Sequence, residues 1–190
     1  AHEKRCSPSD FRSFFVPSDV TNCPRRTFYH TRGVVEDFPT SCFQRMHEKM
    51  VVKKWTEIFS AMRGVSVIDC DVQFSDCSYQ MNGHIDVIIE SDHKVYVVMI
   101  KSVDNAEFEK IKNNGGVRKH VIELMIHLWL TEKTKGLLLY ESNATLECIV
   151  FDISPHKPII NAAKSKFRAL IENQKKNDLP QRPYDTNDSK

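Results

Sequence analysis

The chain has 190 residues, 41% of them hydrophobic, with 27 Lys and Arg set against 25 Asp and Glu for a formal net charge of +2. That length fits one domain with a sizeable core, and the near-neutral balance confines any nucleic-acid surface to a local patch. Six cysteines, at positions 6, 23, 42, 70, 77 and 148, contain no CxxC pair, and no apolar run approaches a membrane span; this excludes a zinc ribbon, a small disulfide scaffold and a bilayer helix, and leaves an intracellular, cytoplasmic protein with reduced thiols as the expectation, in a host cell if viral.

Residues 1–16 mix charge with Ser and Pro and carry Phe11, Phe14 and Phe15, which suggests an arm that docks on the core by its aromatics. Pro17 to Tyr29 follows, where Ser18 or Asp19 can cap a short helix that Pro24 interrupts. Arg25 and Arg26 beside Phe28 and Tyr29 suit phosphate contact with base stacking, a solvated turn being the plainer reading of the same residues. From Cys42 to Met62, Phe43, Met46, Met50, Val51, Trp55, Ile58, Phe59 and Met62 recur at three and four, predicting an amphipathic helix with that stripe in the core and His47 beside it.

Val65 to Phe74 alternates weakly and reads as a first strand. Two β-branched runs, Gly83 to Glu90 and Val95 to Ser102, then flank a polar turn at Asp92-His93, the signature of a hairpin. Such a tip sets Asp86 across from Met99, with Lys101 two residues further along on the same face, and cross-strand partners lie about 5 Å apart at Cβ. A carboxylate and an ammonium that close can share an ion or a phosphate, whereas a lysine ending an amphipathic strand in solvent needs neither.

Asn105 to Asn114 reads as a helix broken by Asn113-Asn114-Gly115-Gly116. A second helix follows from Val117 to about Lys133, with His120, Glu123 and His127 on one face over a packing stripe of Val121, Leu124, Met125 and Leu128. Gly136 to Glu141 and Leu146 to Ile153 read as strands, the first buried on both faces by its continuous apolar run. Residues 155–175 form a closing helix, so that 17–175 make one domain, and 176–190, without periodicity, read as a disordered tail.

Gly83-x-x-Asp86, about a dozen residues, and then hydrophobic-x-Lys101 after a strand resembles the core motif of the PD-(D/E)XK nucleases, except that Met99 stands where the family places Asp or Glu. Cys23-x-Arg25-x-x-x-Tyr29 ahead of it resembles the N-terminal motif of the RecB-like, CRISPR-associated-exonuclease-like nucleases and their phage relatives. In many of these the cysteine is an iron–sulfur ligand completed by three near the C-terminus; Cys148 alone in the last third completes nothing, so no iron–sulfur cluster is expected. The resemblance also implies a histidine on the helix before the Asp strand, which His47 matches, and a Gln-x-x-x-Tyr motif on the helix after the Lys strand, where Glu123 and His127 stand instead.

The resemblance implies an α/β fold, a restriction-endonuclease-like core with a mixed central sheet flanked by helices, and a metal-dependent deoxyribonuclease working as an exonuclease on single-stranded ends. Mg²⁺ or Mn²⁺ would be the cofactor, with Asp86, Glu123, His47 and the Ile100 carbonyl as ligands, Asp86, Lys101 and Glu123 catalytic, and Arg25, Arg26, Tyr29, His120 and His127 on DNA. Because a thioether offers Mg²⁺ nothing, two readings follow: the carboxylate missing at Met99 has migrated to Glu123 and the enzyme is active, or metal affinity is lost and the domain is an inactive DNA-binding or protein-binding module.

Overall fold

The computed structural model describes residues 14–32 and 42–181, with side chains from residue 46 onward in the second stretch. A 3-10 turn, Pro17–Thr21, leads to α1, Pro24–His30, in which Pro24 takes the first helical position rather than breaking a helix. Then come α2 (Cys42–Ala61), β1 (Val65–Asp76), β2 (Met81–Ser91), β3 (Lys94–Val103), α3 (Asn105–Asn114), α4 (Arg118–Leu130), β4 (Gly136–Ser142), β5 (Cys148–Ile153) and α5 (Lys157–Lys176). The five strands form one mixed sheet in the order β1-β2-β3-β4-β5, in which β3 and β4 run parallel and the other neighbours antiparallel. The parallel pair needs a crossover, and α3 and α4 supply it.

Side-chain alternation along β3 divides the core. Val97, Met99 and Val103 pack with Leu138, Tyr140, Leu124 and Leu128 on the α4 side, whereas Val98 and Ile100 pack with Leu139, Val51 and Phe59 on the α2 side. β4 is buried on both faces, as its unbroken apolar run predicts. The hairpin tip falls at Asp92-His93, whose φ values of 49° and 59° make the two-residue turn that suits twisted antiparallel strands. Asp104 caps α3 by accepting the Glu107 N–H at 2.8 Å.

Two expectations need correction. On α2 the residues turned inward are Val51 and Phe59, with Val52 and Trp55 partly buried, while Met46, Met50, Ile58 and Met62 are exposed. One ridge at i, i+4, i+8 packs on Val87, Ile89, Val98 and Ile100 of the sheet, and the neighbouring apolar ridge is left in solvent; the side chain of Phe43 lies outside the described residues. Among the cysteines, Cys77 is disulfide-bonded rather than reduced, and Cys23, Cys70 and Cys148 are free thiols. No described helix is long and apolar enough to cross a membrane.

β2 and β3 are paired only from Val87↔Val98 to the turn, although β2 begins at Met81 and β3 continues to Val103. The strands therefore fork at Asp86. Below the fork β2 pairs with β1 and β3 with β4, and Phe15 bridges Met81, donating to the Gln80 carbonyl at 2.7 Å and accepting the Asn82 N–H at 2.8 Å. That bridge places the following Val16-Pro17-Ser18 at the mouth of the fork.

Candidate active site

The fork opens into a cleft of about 1160 Å³. Of the residues singled out in the sequence, Asp86, Lys101, Glu123 and His127 line it, together with Met99. Where the ladder stops, the Asp86 carboxylate takes the place of a backbone acceptor: its Oδ2 accepts the Ile100 N–H at 2.7 Å. Val97 N–H donates to the Lys135 carbonyl and the Val103 carbonyl accepts from Asn143, so odd residues of β3 turn their backbones to the β4 side. One strand residue's N–H and C=O point to the same side, so the Ile100 carbonyl is turned into the fork beside Asp86.

Lys101, 30% exposed, projects into the cleft from the face opposite Ile100 and Ser102 and meets Glu123 of α4 with Nζ 3.6 Å from Oε2. Burial pushes the Asp86 carboxyl up from its ordinary value, against the Ile100 N–H and the Lys101 charge, which pull it down. His127 is only 5% exposed and sits edge-on to Phe74, ring centroids 5.7 Å apart. Burial first and Lys101 second depress its pKa to about 3. His120 is depressed to about 4 by the same two causes and shares a 3.0 Å hydrogen bond between Nδ1 and the Tyr140 hydroxyl, whose own pKa burial pushes up to about 12. Both imidazoles are neutral at pH 7 and carry no charge toward a phosphate.

The remaining sequence candidates stand elsewhere. His47 bonds through Nε2 to Ser102 Oγ at 3.1 Å, on the sheet face that α2 covers, so strand alternation separates it from Lys101. Beside Ser102, buried Glu141 accepts from Lys54 Nζ at 2.5 Å and from Trp55 Nε1 at 2.6 Å. Arg25, Arg26 and Tyr29 lie on α1, outside the cleft lining. Arg25 Nε donates to the Pro180 carbonyl at 2.7 Å, and Tyr29 is 42% exposed. Cys23 is an exposed thiol whose pKa is lowered, first by the Arg26 backbone N–H.

Sequence reasoning passed over two groups of cleft residues. His84, two positions before Asp86 on β2, stands with Nδ1 3.6 Å from Asp86 Oδ1 and bonds through Nε2 to Asp71 of β1; its signal was the i, i+2 spacing to Asp86. Lys49 and Lys53, one turn apart on α2, line the opposite wall and had no motif to announce them. Among the described residues no three His, Cys, Asp or Glu side chains gather as an ion-binding group. Asp86 with a free oxygen and the Ile100 carbonyl nevertheless form a hard-oxygen pair that fits a divalent cation keeping several of its waters.

The mixed sheet flanked by helices, with its fork at the Asp strand, is an α/β restriction-endonuclease-like core. Among solved structures the chain is similar to an alkaline exonuclease from Laribacter hongkongensis, with a TM-score of 0.66, 9% identity and coverage of 90% of this chain and 94% of that one. The same exonuclease in complex with dAMP gives a TM-score of 0.67 at 9% identity, over 89% and 91%. A phage-related exonuclease from Haemophilus somnus 129PT gives 0.54 at 11%, over 80% and 79%. At these identities the likeness shows the fold. No protein-family model and no curated protein matches the sequence.

Proposed function

We propose that the protein is a divalent-metal-dependent deoxyribonuclease that removes nucleotides from single-stranded DNA ends. One observation carries the reading: the β2–β3 fork brings the Asp86 carboxylate, held by the Ile100 N–H, and the Lys101 side chain into one cleft. Exonucleases share the fold, and one of them is known in complex with dAMP. A cleft of about 1160 Å³ has the scale of a large ligand pocket, which suits a strand end rather than a duplex.

Asp86 and the Ile100 carbonyl would hold Mg²⁺ or Mn²⁺, with Glu123 approaching from α4. When bound, the ion lowers the pKa of a water and neutralises charge on the phosphate and the leaving oxygen. The Ile100 N–H fixes the orientation of the Asp86 carboxylate. Lys101 donates to a non-bridging phosphate oxygen or to the attacking water, and Glu123 aims its ammonium. Lys49 and Lys53, set beside Glu48 and Glu57 on the α2 wall, would offer ammonium groups to individual phosphates of an entering strand.

A second reading has its own observation: Met99, 3% exposed, packs in the apolar core where the resembled nucleases carry a carboxylate, as expected of a binding module that has lost its metal. The test is an assay of labelled single- and double-stranded DNA with Mn²⁺, with and without chelator. Asp86→Asn keeps an acceptor for the Ile100 N–H, and it and Lys101→Met should each cut at least about 100-fold more slowly, with melting temperatures within a few degrees of wild type. Cleavage by both variants at the wild-type rate would move the chemistry elsewhere. A wild-type protein that neither cuts nor gains stability from Mn²⁺ is the binding module.

A further inference from the structure

We propose that His84 is a metal ligand of this site, its Nδ1 and Asp86 Oδ1 gripping one divalent ion between them while Asp71 holds the imidazole from behind. The inference rests on the cleft being a metal site, and names the donor that replaces the carboxylate missing at Met99.

Position 84 lies two residues from Asp86 on β2, and its side chain lines the same cleft. Nδ1 and Oδ1 stand 3.6 Å apart, too far for a hydrogen bond. Two donors that each sit about 2.1 Å from an ion are separated by about 3.0 Å in octahedral and about 3.4 Å in tetrahedral coordination, so a shift of a few tenths of an ångström closes this gap on a cation. Asp86 already uses Oδ2 on the Ile100 N–H, which leaves Oδ1 facing His84.

The other imidazole nitrogen is committed. Nε2 bonds to Asp71 Oδ1, and a carboxylate behind a histidine sets the tautomer with the proton on that nitrogen and the lone pair on the other. Asp71 reaches this place with a left-handed backbone, φ 55°. The β1–β2 pairing passes from Cys70↔Val87 to Val72↔Ile85 with no pair at Asp71 and Asp86, so both carboxylates leave the ladder together at the fork. A non-glycine residue held in that conformation beside a cleft points to a use for its side chain.

Two side chains fall short of a three-residue cage. The Ile100 carbonyl and waters fill the remaining positions, as is usual for lightly held hard cations. An imidazole in the set moves the preference away from Mg²⁺ toward Mn²⁺, Co²⁺ and Zn²⁺. His84 is 45% exposed on its side chain, so its replacement leaves the core intact.

The experiment titrates Mn²⁺ into the 190-residue chain and reads binding by electron paramagnetic resonance, with electron spin echo modulation to detect a coordinated nitrogen. Wild type should show ¹⁴N coupling. His84→Gln should lose that coupling and bind Mn²⁺ at least tenfold more weakly, and Asp71→Asn should keep it while weakening affinity roughly 10- to 100-fold, as loss of a ligand's supporting carboxylate does. Mn²⁺ bound without ¹⁴N coupling, or bound equally well by His84→Gln, overturns the assignment and leaves the nuclease reading to the cleavage assay. Nitrogen-coordinated Mn²⁺ with no DNA cleavage upholds the ligand and removes the nuclease. Absence of Mn²⁺ binding to wild type overturns it along with the metal-site reading.

Discussion

Two histidines on one helix show how burial decides chemistry at the scale of a residue. A histidine in an unfolded chain titrates near 6.5, whereas His127 is depressed to about 3 and His120 to about 4. A depressed folded pKa means that the unfolded chain takes up the proton first, so the stability these neutral rings contribute is complete above about pH 6.5 and is lost as pH falls toward 4 and 3. The melting temperature should therefore drop between about pH 7 and pH 5, a window that precedes most carboxylate titration. His127→Leu should flatten that slope; an unchanged slope would show that His127 takes up its proton no later in the folded protein than in the unfolded chain.

At the scale of the element, the pairing of β1 with β2 explains why a glycine stands three residues before Asp86. Gly83 pairs with Phe74 across the β1–β2 ladder, and a Cβ built on Gly83 would lie 1.8 Å from the Phe74 ring carbon Cζ. The ring lies over the bare backbone and from there reaches His127. Gly83→Ala has to displace that ring and should destabilise by about 1–3 kcal/mol in urea unfolding, the range for overpacking. Adding Phe74→Ala should recover part of the loss, a non-additive result because the two residues share one space. Two independent, additive effects would place the cost of Gly83→Ala elsewhere.

On the scale of the whole molecule, the two ends of the described chain meet on one side of the sheet. Phe167 of α5, fully buried, packs against Phe15 with ring centroids 5.7 Å apart, in a cluster with Met81 and Ile126. Lys166 Nζ donates to the carbonyls of Asp19, Val20 and Asn22, and its pKa is lowered by burial. α5 thereby fixes the N-terminal segment whose Pro17 and Ser18 line the cleft. Phe167→Ala should cost about 3–5 kcal/mol of stability, the range for emptying a buried aromatic site, and should open the segment around Phe15 to limited proteolysis before the sheet. Cleavage that starts in the β-hairpin would instead show that the chain ends are not the weak point.

The hairpin from Met81 to Val103 was legible in the residues because β-branched runs and a polar tip are local signals, and a strand's period of two then assigns Lys101 its face with no knowledge of the partner. α3 was legible for the same reason, its end marked by Asn113-Asn114-Gly115, while the Asp104 cap at its start was found only in the structure. The rotation of α2 was not: apolar residues occupy two ridges, and only packing against the sheet chose Val51 and Phe59 over Met46 and Met50. His47 shared that uncertainty, because a helix position has no face until the helix is packed, and packing set it against Ser102. His84 and Asp71 are 13 residues apart in sequence and meet through the β1–β2 register and the left-handed backbone at Asp71. Periodicity, caps and turns act between near neighbours and can be read along the chain; pairing register, helix rotation and burial depend on distant partners, and they decided which titratable groups share the cleft.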